Sequence, residues 1–370
     1  MKAAVLFALR EPLEVCDLQI DKPRPREVLL RVAASGLCHS DLHFMTGDLP
    51  GQIPVVLGHE VAGVVEAVGS DVSVCRVGDH VVSCTLTFCG HCNQCVSGRT
   101  QTCSEKPGRL PTEQSRLTHL GKPVAQGARI GGFAEQVLIH ENSVVKIDRS
   151  VPLDRAALLG CGVLTGMGAV FNAAKVPPGS KVAIIGCGGV GLMIVQAARI
   201  AGASQIIAID ANRTKAPLAL QFGASDFIQG DDDMIAAVRE KTSGGADFVF
   251  EAIGVPKVIA QGVQMLAPNG LMTVVGAIPA DATIPLPGLA MIYNEWRVQG
   301  TLFGSSAFTR DIPFIIGLYQ RGLIDLDTMI SRRIELDDVN EGFADMAAGA
   351  TQARNVITFN SVLDQAAARA

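Results

Sequence analysis

Two hydrophobic rhythms divide the chain. Up to about residue 155, apolar pieces such as VLLRVAAS, VAGVVEAVG and HVVSC are broken by Gly, Pro and Asp turn residues, which predicts a β-rich region. From about residue 160, KVAIIG, QIIAID, DFVFEAIG and LMTVVGA are nearly continuous apolar runs separated by helix-like segments. Strands buried on both faces read this way, so the second region is expected to be α/β, a parallel sheet covered by helices. DIPFIIGLYQRG reads as a helix and RNVITFN as a strand. Residues 104–131 are polar and rich in Gly and Pro, and read as a long surface loop. No internal repeat interrupts this order.

A chain of 370 residues exceeds one hydrophobic core and suits two domains. Its 48% hydrophobic and 18% charged content allows a sizeable core. A net charge of −5 without a long basic run argues against nucleic acid and anionic membrane as partners. No apolar run reaches the ~20 residues of a membrane span. MKAAVLFALREPLEV is apolar over too short a stretch for a signal peptide and reads as a first strand. A soluble cytoplasmic protein is expected. In that compartment ten cysteines point to metal or catalysis rather than to disulfides.

Four of those cysteines fall within fifteen residues, CGHCNQCVSGRTQTC, as Cys89, Cys92, Cys95 and Cys103. Two-residue gaps turn successive thiolates onto one ion. Four sulfurs complete the tetrahedral shell of zinc, giving a closed site that staples a loop and leaves no position for substrate. An iron–sulfur cluster uses similar ligands, and buried or redox thiols are a further alternative.

SKVAIIGCGGVGLMIVQAARIAG reads as strand, glycine turn, helix. Gly186, Gly188 and Gly191 fit G-x-G-x-x-G, with Gly189 and Val190 inside the turn. The first glycine permits the tight turn, the second a close approach of backbone to a pyrophosphate, and the third close helix packing. Asp210 ends the next strand, where a carboxylate can bond a ribose 2′-hydroxyl and repel a 2′-phosphate. NAD is therefore expected over NADP, with Arg213 as the counter-evidence.

Cys38 and His59 lie 21 residues apart, and Cys161 follows much later in LLGCGVLTG. By spacing alone they read equally as a metal site and as ordinary core residues. Taken together, CHSDLH at 38–43, GHEVAGVV at 58–65, the four-cysteine lobe, GCGVLTG at 160–166, GCGGVG at 186–191 and RNVITF at 354–359 resemble the zinc-dependent medium-chain alcohol dehydrogenases over nearly the whole chain. The resemblance implies a GroES-like β-rich catalytic domain at 1–160 and 303–370, with a structural-zinc lobe at about 84–104. It implies a doubly wound Rossmann domain at 161–302, and an active site in the cleft between the two. Cys38, His59 and Cys161 become ligands of a catalytic zinc, and the four cysteines ligands of a structural one, two Zn2+ per chain. The implied reaction is reversible hydride transfer between a zinc-bound primary or secondary alcohol and NAD.

Further roles come from the same resemblance. Ser40 and His43 match a proton relay. Asp41 matches the carboxylate that orients the histidine ligand, and Glu60 an acidic residue behind the zinc. Arg354 and His39 fall at pyrophosphate positions, Thr165 beside the nicotinamide, and Lys215 at the adenosine ribose. His39 stands where many members carry Arg, so faster cofactor release is expected. Thr85 stands where ethanol-active members place an aromatic wall, so the pocket is expected to take medium-chain, branched or aromatic alcohols. A homodimer or homotetramer is implied, with apolar strand material near 291–303 of MIYNEWRVQGTLFG at the interface. The competing readings are a nicotinoprotein with tightly bound NAD, an S-(hydroxymethyl)glutathione dehydrogenase, and a non-enzymatic zinc-ribbon binding protein.

Overall fold

The structure, a computed structural model, describes residues 1–107, 115–231 and 233–367. These fall into two compact units, one of Met1–Cys161, Ala307–Gln320 and Leu326–Ala370, the other of Gly162–Ser306 and Arg321–Asp325.

The first unit is built on two sheets. Its seven-stranded sheet runs in the order Val144–Lys146, His80–Ser83, Glu60–Val68, Glu27–Gly36, Arg354–Thr358, Ile330–Ile334, with Gln136–His140 also paired to Glu27–Gly36. The long strand Glu27–Gly36 explains the centre of this sheet. Its first half alternates, with Val28, Leu30 and Val32 buried between half-buried Leu29 and Arg31, and its second half, Ala33–Gly36, is buried throughout. Alternation fits one covered face and continuous burial fits two. A second sheet of shorter strands includes Lys2–Leu6, so the chain start is a strand as its apolar pattern requires.

Part of the 104–131 loop expectation is corrected here. Leu117–His119 and Lys122–Gln126 form an antiparallel hairpin inside that second sheet. Leu120 and Gly121 turn it through positive φ of 48° and 77°. Only Leu117 and Val124 are deeply buried along it, and Arg116 ties it to Asp21 and Glu27 at 2.7 and 2.6 Å. Two apolar positions in a polar, Gly- and Pro-containing stretch gave no strand rhythm to read. Residues 108–114 of the same stretch lie outside the described residues.

The second unit is a six-stranded, fully parallel sheet in the order Asp226–Gln229, Gln205–Asp210, Lys181–Ile185, Ala246–Glu251, Leu266–Val274, Arg297–Gly300. Helices such as Gly189–Ile200 and Pro256–Gln264 bury Ile194, Val195, Ile259 and Val263. Strand order reverses beside Lys181–Ile185, which opens a crevice at the carboxyl ends of the strands. The reading of 291–303 as strand is corrected in part: Gly288–Asn294 is a helix, and only Arg297–Gly300 is strand, at the sheet edge. Ile292 and Tyr293 are 74% and 79% exposed, so they are apolar without being core. Among the described residues no single helix is long and apolar enough to cross a membrane.

Candidate active site and metal centres

Two ends of neighbouring strands and one tight approach build the first cluster. Glu27–Gly36 delivers Cys38, which precedes the helix His39–Thr46 in an extended conformation. Glu60–Val68 pairs with it, Gly36 opposite Glu60, and so places His59 and Glu60 beside Cys38. Cys161 arrives from the turn Ala157–Gly160, which lies hard against the strand His80–Ser83. A side chain on Gly160 would collide with the Ser83 carbonyl, so only glycine brings Cys161 this close. The donor atoms of Cys38, His59, Glu60 and Cys161 all lie within 4.8 Å of one another, and all four residues are buried.

The surroundings suit a cation. Asp41 Oδ1 bonds His59 Nδ1 at 3.1 Å and accepts from Gly58 N at 3.1 Å, which leaves His59 Nε2 to face the thiols. Burial alone would lower the His59 pKa, but the Asp41 carboxylate outweighs it and raises it well above the usual range. The hydrogen bond between the two thiols holds Cys38 well below and Cys161 well above the ordinary thiol value. Burial pushes Glu60 up to about 7 although Arg354 opposes this. Both Glu60 oxygens and Asp41 Oδ2 are buried without a hydrogen-bond partner. Two soft thiols, a tautomer-fixed imidazole and orphaned carboxylate oxygens fit a zinc ion held by Cys38, His59 and Cys161.

Ser40 joins this cluster, with Oγ 3.2 Å from Cys38 Sγ and 3.4 Å from His59 Nε2. Arg354 joins it too, Nη2 lying 3.4 Å from Glu60 Oε1 and 3.8 Å from Cys38 Sγ. His43 sits one helical turn beyond Ser40, and its Nδ1 meets Asp48 at 3.2 Å rather than Ser40. His39 is exposed at the start of the same helix. Thr85 is half-buried in the loop after His80–Ser83, its carbonyl accepting from Thr87 N at 2.9 Å. Asp48 and the pairing of Arg354 with Glu60 escaped the sequence reading. The only signal for Asp48 was its place in the turn that ends the helix.

The second cluster is local. Sulfur–sulfur distances are 3.8 Å for Cys89–Cys95, 3.5 Å for Cys92–Cys95 and 3.8 Å for Cys92–Cys103. Four thiolates around zinc at ~2.3 Å stand about 3.8 Å apart along each tetrahedral edge. The four sulfurs therefore fit a closed zinc site.

In the second unit, Gly186 has φ 97° and Gly188 opens the helix Gly189–Ile200. A side chain on Gly191 would strike the Gly186 carbonyl, whereas one on Gly188 would meet open space. Close packing at the third glycine and free room at the second fit a bound pyrophosphate. Asp210 Oδ2 accepts from Cys187 N at 2.7 Å and lies 3.5 Å from Lys215 Nζ, which ties the carboxylate to the turn. Val190 lies in the helix's first turn, and Thr165 is buried in the helix Gly162–Gly168. Glu251 was not anticipated. It is fully buried at a strand end, and its Oε1 accepts from the amides of Ile253, Gly254 and Val255 at 3.0, 2.6 and 3.3 Å. The charge that closes the run DFVFE was the available signal.

Comparison with known proteins agrees with this geometry. The alcohol dehydrogenase GroES-like domain matches residues 24–149, and the zinc-binding dehydrogenase domain residues 189–317. An NDMA-dependent alcohol dehydrogenase of Amycolatopsis methanolica is 38% identical over 356 residues, covering 94% of this chain and 96% of that protein. The crystal structure of benzyl alcohol dehydrogenase from Acinetobacter calcoaceticus superposes with a TM-score of 0.91 at 34% identity, over 97% of this chain and 99% of that one. A zinc-binding dehydrogenase from Sinorhizobium meliloti, bound to NADP, gives a TM-score of 0.79 at 28% identity, again over 97% and 99%.

Proposed function

The chain belongs to the zinc-dependent medium-chain alcohol dehydrogenases and is an oxidoreductase of CH–OH donors, and from that premise we propose that it oxidises medium-chain, branched or aromatic alcohols with NAD, using two zinc ions per chain. The buried cluster of Cys38, His59 and Cys161, with His59 locked by Asp41, carries this reading. Zinc held there supplies a Lewis acid that lowers the pKa of an alcohol hydroxyl, much as it brings water from 15.7 to ~7. NAD, when bound, would supply the hydride acceptor for the alcohol carbon, leaving the hydroxyl proton for the protein to move.

The chain's own residues handle that proton. Ser40 Oγ, beside Cys38 and His59, is placed to take it from the alcohol hydroxyl. His43, one helical turn beyond Ser40, 29% exposed and held by Asp48, is placed to pass it on to solvent. Asp41 keeps the His59 tautomer that presents Nε2. Glu60 and Arg354 counterbalance each other behind the thiols. Gly186, Gly188 and the following helix cradle the pyrophosphate, and Asp210 with Lys215 holds the adenosine ribose. Thr85, smaller than an aromatic wall, leaves room for a bulky alcohol.

NAD is favoured over NADP by the Asp210 carboxylate, with exposed Arg213 nearby the residue that would admit a 2′-phosphate. Initial rates with NAD or NADP against ethanol, longer alkanols, cyclohexanol and benzyl alcohol, with zinc counted on the same sample, test the proposal. Faster turnover of bulky alcohols with NAD at two zincs per chain supports it. Preference for the glutathione adduct of formaldehyde would shift it to the charged-substrate alternative.

A second reading keeps NAD bound between turnovers. The Amycolatopsis relative is named for its dependence on NDMA, and dependence on an added compound would suit a chain that turns over with an external acceptor. Heating the pure protein and assaying the supernatant for NAD separates the two. A homodimer or homotetramer is proposed from the edge strand Arg297–Gly300 and the exposed Leu289, Ile292 and Tyr293 beside it. Sedimentation gives the mass. A cytoplasmic location accords with thiol metal sites that need reduced cysteines.

A further inference from the structure

The four-cysteine lobe is mostly closed. Cys92, Cys95 and Cys103 are 6%, 9% and 6% exposed, while Cys89 alone is half-buried. A hydrated zinc ion must shed water one ligand at a time, and a buried thiol cluster offers it no first foothold. Two exposed side chains stand where such a foothold is needed. His91 lies inside the first two-residue gap, and Glu105 lies two residues past the last cysteine. His91 Nδ1 and Glu105 Oε2 are 3.5 Å apart, and the two side chains are 71% and 59% exposed. Donor atoms of Cys89, His91 and Glu105 all fall within 4.8 Å of one another.

The spacing has a chemical meaning. Zinc bonds nitrogen and carboxylate oxygen at about 2.0–2.2 Å, so two such ligands on one tetrahedral ion sit about 3.4 Å apart. The His91–Glu105 separation already matches that edge. An imidazole, a carboxylate and a thiolate are the three donor types zinc accepts most readily. As a plain ion pair, two such exposed groups contribute little to stability, on the order of 0–1 kcal/mol. That leaves their convergence on the one accessible thiol without a stabilising purpose. Cys89 Sγ also accepts from the amides of His91 and Cys92 at 3.5 and 3.3 Å, which fixes the sulfur on the side of the lobe where His91 and Glu105 stand.

We propose that His91, Glu105 and Cys89 form a zinc-capture site at the surface, through which the ion enters and leaves the four-cysteine lobe. The ion would first exchange waters for the imidazole, the carboxylate and the Cys89 sulfur, whose proton leaves to solvent. The other three thiols then give up their protons to solvent and displace His91 and Glu105, while Cys89 stays bound throughout. No oxidation state changes. The proposal rests on the reading of the lobe as a zinc site.

Exchange of cadmium for zinc in the holoenzyme tests it. Cadmium NMR separates a four-sulfur site from a two-sulfur, one-nitrogen site, so lobe exchange is followed apart from the other cluster. For His91→Ala combined with Glu105→Gln, lobe exchange is expected to slow roughly tenfold, the scale seen when supporting groups at zinc sites are removed. Final cadmium content and thermal midpoint should match the parent protein. A rate within twofold of the parent overturns the capture site. A lowered midpoint with faster zinc loss also overturns it, because the pair would then be a prop for the folded lobe. Parent protein with no four-sulfur signal overturns the reading of the lobe itself and the capture site with it.

Discussion

The two cysteine clusters solve the same coordination problem in opposite ways. In the lobe, four thiols from fifteen residues close on one point, and among the described residues the carboxylate grouped with them is the exposed Glu105. In the other cluster, the donors come from positions 38, 59 and 161, and orphaned carboxylate oxygens of Asp41 and Glu60 are buried with them. The first arrangement satisfies every valence of a tetrahedral ion and leaves nothing for a substrate. On the proposed reading, with Cys38, His59 and Cys161 as ligands, the second would leave one valence open beside Ser40. We propose that shape comes from the local cluster and chemistry from the distributed one.

Removing one distributed ligand should break the comparison most visibly. Cys38→Ala is expected to leave about one metal per chain and to cut kcat/KM by about a thousandfold or more, since the Lewis acid contributes several kcal/mol. Metal analysis with initial rates checks both numbers, and the thermal midpoint should move little. Cys95→Ser should do the reverse. It too leaves one metal, but it lowers stability by on the order of 5 kcal/mol, a fraction of the ~10–16 kcal/mol that structural zinc supplies to zinc-finger peptides. Denaturant unfolding reads the loss, and turnover per folded chain should stay near that of the parent.

This contrast also explains what the sequence could disclose. The lobe was legible because its ligands share one loop, so spacing alone carried the geometry. The parallel sheet was legible because strands covered on both faces leave unbroken apolar runs such as QIIAID and KVAIIG. The Cys38–His59–Cys161 cluster was not legible from spacing. Its donors meet only after the strands Glu27–Gly36 and Glu60–Val68 pair and Gly160 packs on Ser83. Resemblance supplied that assembly in advance. The hairpin around Leu120 stayed hidden because it buries only Leu117 and Val124 deeply. Ile292 and Tyr293 misled because apolar residues on an exposed helix mimic strand composition. The Arg354–Glu60 pairing joins residues almost 300 positions apart, and no local signal announces it.

Smaller effects sharpen the picture. Asp41→Asn should weaken metal retention or turnover by about 10–100-fold, because His59 Nδ1 then faces a neutral amide in place of a carboxylate. Chelator competition on the purified variant measures the retention.

Asp154 acts at longer range. It accepts from Arg155 Nη1 at 2.9 Å and Arg333 Nη2 at 2.7 Å, pinning the short helix Leu153–Ala156 that leads to Cys161. Burial alone would raise its pKa, but these hydrogen bonds hold it below the usual carboxylate range. A depressed native pKa means the contribution is present above the unfolded value near 3.9 and is lost as pH falls through the native one. Asp154→Ala should therefore cost about 1–2 kcal/mol at neutral pH, since both arginines keep some access to solvent. The gap should narrow as pH falls through the range below about 4. Urea unfolding of both proteins at neutral and acid pH gives the comparison.

NADH formation from benzyl alcohol by the purified protein, with zinc counted on the same sample and NAD assayed after heat release, tests whether the two clusters serve a NAD-dependent alcohol dehydrogenase. Steady turnover with added NAD and two zincs per chain is the expected result. Protein that holds two zincs, carries no releasable NAD and oxidises no alcohol with either NAD or NADP would contradict it.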